Sequence, residues 1–145
     1  DESEARTMKT LELDPNLWYT HYIHFNIFRI RGDYAKAVEE FARAMELKGV
    51  AGTPNVVRES FTKGGWQGVL KAMTQKSPEL KISPYDRASF HTELGEADQA
   101  FLALNEAFEK SDNFIAFLKV DPFFAKLHND PRFTALLKKL GLMSS

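Results

Sequence analysis

The sequence predicts an all-α fold built from antiparallel helix pairs, and three observations predict it. Ala37, Phe41 and Ala44, at steps of four and three, lie on one face of a 3.6-residue helix. The pattern returns 63 residues later as Ala100, Leu104 and Ala107. Gly32, Gly64 and Gly95 stand 32 and 31 residues apart, each between two stretches of helical periodicity. Small residues at fixed points on a helix let a neighbouring backbone approach closely. A hairpin with such a seam cannot bury its apolar faces alone, so it implies neighbours of the same kind.

In chain order, Glu2 to Leu13 reads as a helix ended by Asp14-Pro15, because the residue before a proline disfavours the α region. Leu17 to Arg31 is rich in aromatics (Trp18, Tyr19, Tyr22, Phe25, Phe28) and is apolar nearly all round. A helix of that kind is usually covered on more than one side. Gly32 supplies the turn, and Asp33 is the expected N-cap of a helix whose solvated face carries Glu39, Glu40, Arg43 and Glu46. Lys48 to Pro54 is a loop, with Thr53 expected as a cap and Pro54 in the first turn. A short helix over 54–63, a turn at Gly64 and a partner from Trp66 to Gln75 follow. Gly68 is expected to weaken that partner by about 1 kcal/mol relative to alanine.

Ser77 to Ser83 is a polar connection broken by Pro78. Ser83-Pro84-Tyr85-Asp86 then opens a helix, with a serine cap, a first-turn proline and an acid where the exposed amides favour it. It turns at Gly95 into a long helix ending near Lys110. Asn113 to Val120 is a short apolar helix or turn, and Asp121-Pro122 and Asp130-Pro131 are two further N-cap starts. The last helix sets Phe133, Leu136, Leu137 and Leu140 on one face and stops at Gly141. It reads as a cap over the apolar edge of the preceding pair.

Composition narrows the function classes. With 145 residues and 43% hydrophobic content, the chain fits one domain able to bury a sizeable core. Lys and Arg number 19 against 20 Asp and Glu, a net charge of -1, so no nucleic-acid or anionic-membrane surface is expected over the whole region. There are no cysteines, which excludes disulfides and thiol chemistry. No apolar run approaches the roughly 18 residues that cross a bilayer, so no membrane insertion is expected either. The absence of an initial Met or signal peptide, and a start inside a helical pattern, suggest a fragment of a longer protein.

The residues Gly32-Asp33-Tyr34, Ala37, Phe41, Ala44 and Leu47, then Gly95, Ala100, Leu104, Ala107 and Phe108, with LELDPN at Leu11 to Asn16, carry a family pattern. Through them the chain resembles the tetratricopeptide repeat, a helix-turn-helix unit of about 34 residues. His24-Phe25 departs from it where the pattern has Leu-Gly, and Phe28 stands in place of Tyr. The resemblance implies a right-handed α-solenoid with a C-terminal helical cap. Its divisions would be the second helix of a truncated repeat (1–16), a repeat (17–48), a degenerate repeat (49–77), a repeat (78–111) and capping helices (112–145). Ser83 to Leu142 further resembles the C-terminal end of bacterial tetratricopeptide proteins in which the repeats follow a serine/threonine kinase or a winged-helix DNA-binding domain. That implies a region of a bacterial regulator, in cytoplasm or periplasm.

In tetratricopeptide folds the first helix of each repeat lines a concave groove. The resemblance therefore implies a partner-binding set of Tyr19, Tyr22, Asn26, Arg29 and Ile30, then Arg58 and Phe61, then Tyr85, Ser89 and Thr92. Aromatics mixed with arginines suit a peptide, since rings supply contact area and guanidinium groups hold carboxylates in bidentate fashion. Related modules clamp a terminal carboxylate with Lys and Asn; only Asn26 matches, with Tyr22 where Lys is needed. The alternative is that these aromatics are covered by the preceding repeat or by Leu118 to Leu127.

A catalytic role is not expected. No stretch offers a nucleophile with its base, a phosphate-binding glycine loop or an H-E-x-x-H motif. His21 and His24, three apart on one helix, supply two metal ligands at most, and His91 and His128 lie in other elements. The pair is expected to pack between helices, so no cofactor and no metal are anticipated. The reading is a non-catalytic protein-protein interaction scaffold binding a peptide or partner protein. The rival is a homodimer formed through exposed aromatics near Trp18 or Phe123.

Overall fold

The structure is a computed structural model that describes residues 17–143. Those residues form helices and connecting turns, with no strand among them, so the fold is all-α. The expected helix over Glu2 to Leu13, and the half repeat 1–16 containing it, lie outside the described residues. The chain divides into two compact units at the Lys81–Ile82 bond, and each is taken by itself.

In the first unit α1 (Trp18–Arg31) and α2 (Tyr34–Leu47) form a hairpin, followed by α3 (Thr53–Met73). α1 stops at Gly32, whose φ of 79° is left-handed and open to glycine without steric cost. The Gly32 amide donates to the Arg29 carbonyl at 3.2 Å and the Asp33 amide to the Phe28 carbonyl at 2.9 Å, which satisfies two of the helix's last acceptors. Asp33 holds the N-cap position of α2, but its carboxylate caps nothing; its backbone carbonyl instead accepts from the Ala37 amide at 2.9 Å. α2 buries Ala37, Val38, Phe41, Ala44 and Met45, with the Phe41 ring 4.8 Å from that of Phe25 on α1.

Two expectations are corrected in α3. The hinge is Gly65 (φ 63°, ψ -157°), while Gly64 keeps helical angles, so the run is bent into arms 53–64 and 66–73. A Cβ at Gly68 would lie 2.8 Å from the Ser60 carbonyl oxygen. Residues eight apart in one straight helix cannot meet, so the second arm folds back on the first. Gly68 is therefore a point of close approach between the arms, beyond its expected cost in helix propensity. Thr53 is the first residue of α3, and it is Gly52 that occupies the N-cap. The Thr53 hydroxyl is fully buried and donates to the Leu80 carbonyl.

The second unit begins with the hairpin of α4 (Pro84–Glu93) and α5 (Ala97–Glu109). Two 3₁₀ helices, Asn113–Phe117 and Pro122–Leu127, and the closing helix α6 (Pro131–Lys139) follow. Every start has a side-chain cap except α5: Ser83, Asp112, Asp121 and Asp130 accept from the amides of Asp86, Phe114, Phe123 and Arg132. Ala100, Leu104, Leu118, Phe124, Phe133 and Leu136 meet in one core. α6 buries Phe133, Leu136 and Leu137 and ends before Gly141, at φ 75°. Among the described residues no helix is long and apolar enough to cross a membrane.

Candidate binding cleft

α1 is apolar on most sides, yet it carries two histidines facing α2. His21 Nδ1 lies 2.6 Å from Glu40 Oε2, and His24 Nδ1 lies 3.2 Å from Glu40 Oε1. One carboxylate thus joins both imidazoles across the hairpin. An ionised carboxylate only accepts, so each imidazole donates to Glu40 from Nδ1. His24 is 2% exposed, its ring lies 4.1 Å from that of Phe28, and its Nε2 is buried without a hydrogen-bond partner. No group of three or more His, Cys, Asp or Glu among the described residues is placed to hold a metal ion.

Two clefts flank the start of α2. One, of about 490 Å³, is lined by His24, Phe28, Ala35, Lys36, Glu39 and Glu40. The other, of about 410 Å³, is lined by Gly32, Asp33, Tyr34, Ala35, Lys36 and Phe61. Ala35 and Lys36 belong to both. The Lys36 ammonium sits 5.5 Å above the Phe28 ring. Arg58 Nε donates to Glu39 at 2.9 Å and Arg58 Nη2 to Glu46 at 3.0 Å. The Glu39 hydrogen bond, ahead of that from Glu46, holds the Arg58 guanidinium above its ordinary pKa.

The residues expected in a groove are placed unevenly. Tyr19 and Ile30 are exposed, and Asn26, Arg58 and Phe61 are half-buried. Tyr22 and Arg29 are buried, the Arg29 guanidinium lying 6.0 Å from the Phe25 ring and 5.8 Å from the Trp66 ring. In the second unit Tyr85, Ser89 and Thr92 are all interior. Tyr85 donates to Asp121 Oδ2 at 2.6 Å, Ser89 to the Asp86 carbonyl at 2.7 Å and Thr92 to the Ala88 carbonyl at 2.8 Å. Tyr22, Arg29, Tyr85, Ser89 and Thr92 are thus buried, where the resemblance assigned them to a ligand surface. The family resemblance selected those positions, but which neighbours cover them is decided by tertiary packing.

The structure brings together Ala35, Lys36, Glu39, Glu40 and His24, which sequence reading did not assemble. Two histidines three apart on an apolar helix imply an acid opposite them, and Glu40 on the next helix is that acid. Compared with models of known families, with curated proteins and with solved structures, the chain matches none. Trp18 and Phe123, the expected dimer aromatics, are half-buried, and Lys48 Nζ lies 4.5 Å over the Trp18 ring. The large exposed apolar side chains among the described residues of the second unit are Leu102 (64%), Phe117 (56%), Val120 (76%) and Met143 (39%).

Proposed function

We propose that this chain is a tetratricopeptide-like interaction module, a right-handed solenoid of helix pairs that binds a segment of a partner protein and carries no reaction centre of its own. One observation supports it most: Gly32 and Gly95 share a φ near 80° and the same backbone hydrogen bonds, and Ala37 and Ala100, at the same place after each turn, are fully buried. The glycine turn is a common helix ending, present also at Gly49 and Gly141; its recurrence 63 residues on, each time followed by a buried alanine, is what favours a repeat architecture, whose shared use is an extended binding surface. The open clefts beside α2 offer a place for side chains of an extended segment. A bacterial regulator is the setting that the resemblance of residues 83–142 favours. Selection of peptide ligands on the full chain, followed by titration, tests this reading.

A second reading, self-association, is favoured by Phe117 and Val120, two exposed apolar side chains close together in sequence. Sedimentation over a concentration series separates the two. A monomer at high concentration removes the second.

A further inference from the structure

We infer that the capping face of the second unit, around Phe117, Val120 and Met143, binds a segment of the partner protein that carries acidic residues beside apolar ones; this rests on the reading of the chain as a partner-binding module. Charge in this unit is unevenly divided along the sequence. Residues 82–112 hold seven Asp and Glu against two Lys and Arg, whereas 113–143 hold two against five. Both acids of the latter stretch are engaged: Asp121 accepts from the Tyr85 hydroxyl at 2.6 Å, and Asp130 is paired with Arg132 at 2.8 Å. Lys119, Lys126, Lys138 and Lys139 pair with no carboxylate among the described residues. The capping region therefore presents positive charge that its own acids leave unanswered.

One contact gathers three of those lysines with the apolar side chains. Lys119 Nζ donates to the Leu142 carbonyl at 3.3 Å. The Leu142 amide donates to the Leu137 carbonyl at 2.9 Å and folds that residue back on the end of α6, so Lys138 and Lys139 lie within a turn of it. Phe117 and Val120 share a tight turn with Lys119, the Val120 amide donating to the Phe117 carbonyl at 3.0 Å, and Met143 follows Leu142. Phe117, Val120, Met143 and the three lysines are all exposed. Lys139 Nζ lies 4.9 Å over the Phe108 ring, an apolar seat that leaves its charge without a counter-ion.

Charge also separates the occupants. A second copy placed symmetrically sets like lysines against each other across the two-fold axis. An anionic bilayer attracts the lysines but repels the acidic hairpin of the same unit, and three apolar side chains give it little to bury. An acidic segment meets the lysines with attraction and covers Phe117 and Val120 with its own apolar residues.

The test is selection from a phage-displayed library of random peptides on the full chain, followed by titration of the enriched peptides on it and on two variants, Val120→Asp and Lys138→Glu. Both side chains are exposed, so neither change enters the core. The inference expects the enriched peptides to require Asp or Glu. Replacing those acids by Asn or Gln weakens binding about tenfold, each variant weakens the parent peptide by a similar factor, and added salt weakens it further. The peptide replacement reads the contact without altering the protein, so a variant that folds poorly does not decide the outcome. Enriched peptides that need no acid, or that both folded variants bind as well as the unaltered chain does, overturn the assignment of this face and leave the module standing. Co-sedimentation of the chain with phosphatidylserine vesicles, abolished by Val120→Asp, overturns it too and gives the face to a membrane. A library that enriches nothing overturns the module as well.

Discussion

Gly32 and Gly95, 63 residues apart, occupy the same turn: φ is 79° in one and 80° in the other. Gly95 donates to the Thr92 carbonyl at 3.0 Å and Glu96 to the His91 carbonyl at 2.9 Å, as Gly32 and Asp33 do to Arg29 and Phe28. Asp33 and Glu96 then accept, through backbone carbonyls, from Ala37 and Ala100 at 2.9 Å each. A Cβ at either glycine meets nothing within 4 Å, so the cost of adding one is conformational alone. Gly32→Ala and Gly95→Ala are each expected to destabilise by about 1–2 kcal/mol. Urea midpoints check this, and an unchanged midpoint at either position contradicts the shared turn.

The seam gives a second prediction. Ala37 and Ala100 have no exposed surface, and Phe41 and Leu104 are buried one turn further along the same helices. Ala37→Leu and Ala100→Leu should each cost about 1–3 kcal/mol, because added methylenes in a close-packed seam force side chains off their rotamers. Equilibrium denaturation of both variants measures it. Midpoints equal to that of the unaltered protein would show that the helices do not meet through these residues.

Gly68 gives a prediction with a sign opposite to that of helix propensity. Alanine at this position gains about 1 kcal/mol as a better helix former. Its Cβ would also stand 2.8 Å from the Ser60 carbonyl oxygen, a backbone atom that cannot swing aside. Overpacking costs about 1–3 kcal/mol, so Gly68→Ala is expected to lower thermal stability. A raised melting temperature would mean that the two arms of α3 are not in contact.

These positions show what was legible in the sequence. The helix pairs, the turns at Gly32 and Gly95 and the aspartate starts at Asp121 and Asp130 follow from local chemistry, because a left-handed turn and an exposed amide each demand particular residues. Gly64 and Gly65 are adjacent and equally free in backbone angle, so spacing could not choose between them. Thr53 looks like a cap from its place before Pro54, but the carbonyl that takes its proton is on Leu80, 27 residues away. The cleft depends on the same kind of distant partner: Glu40 reads as a solvated acid until α2 lies against α1. Tyr85 and Ser89 share a helical face that suits a groove, and only packing places them in a core.

Tyr85 also sets a pH dependence. Burial first, and then the hydrogen bond to Asp121, push its phenol above the ordinary pKa of 10.0. The folded state therefore holds that proton more tightly than the unfolded chain. The corresponding stability is complete below pH 10.0 and falls as the pH rises beyond it. Urea unfolding from neutral to strongly alkaline pH should show the fall, and Tyr85→Phe should flatten it. At neutral pH that variant loses about 1.5–3 kcal/mol through the missing bond to a carboxylate. An equal alkaline fall in the variant would assign it to other groups.

That this chain holds another polypeptide is tested most directly by calorimetric titration of the full chain with a peptide selected on it. The account predicts a saturable heat with one peptide per chain, from a protein that sediments as a monomer. Selected peptides that give no saturable heat, together with a chain that sediments as a dimer at the same concentration, would contradict it.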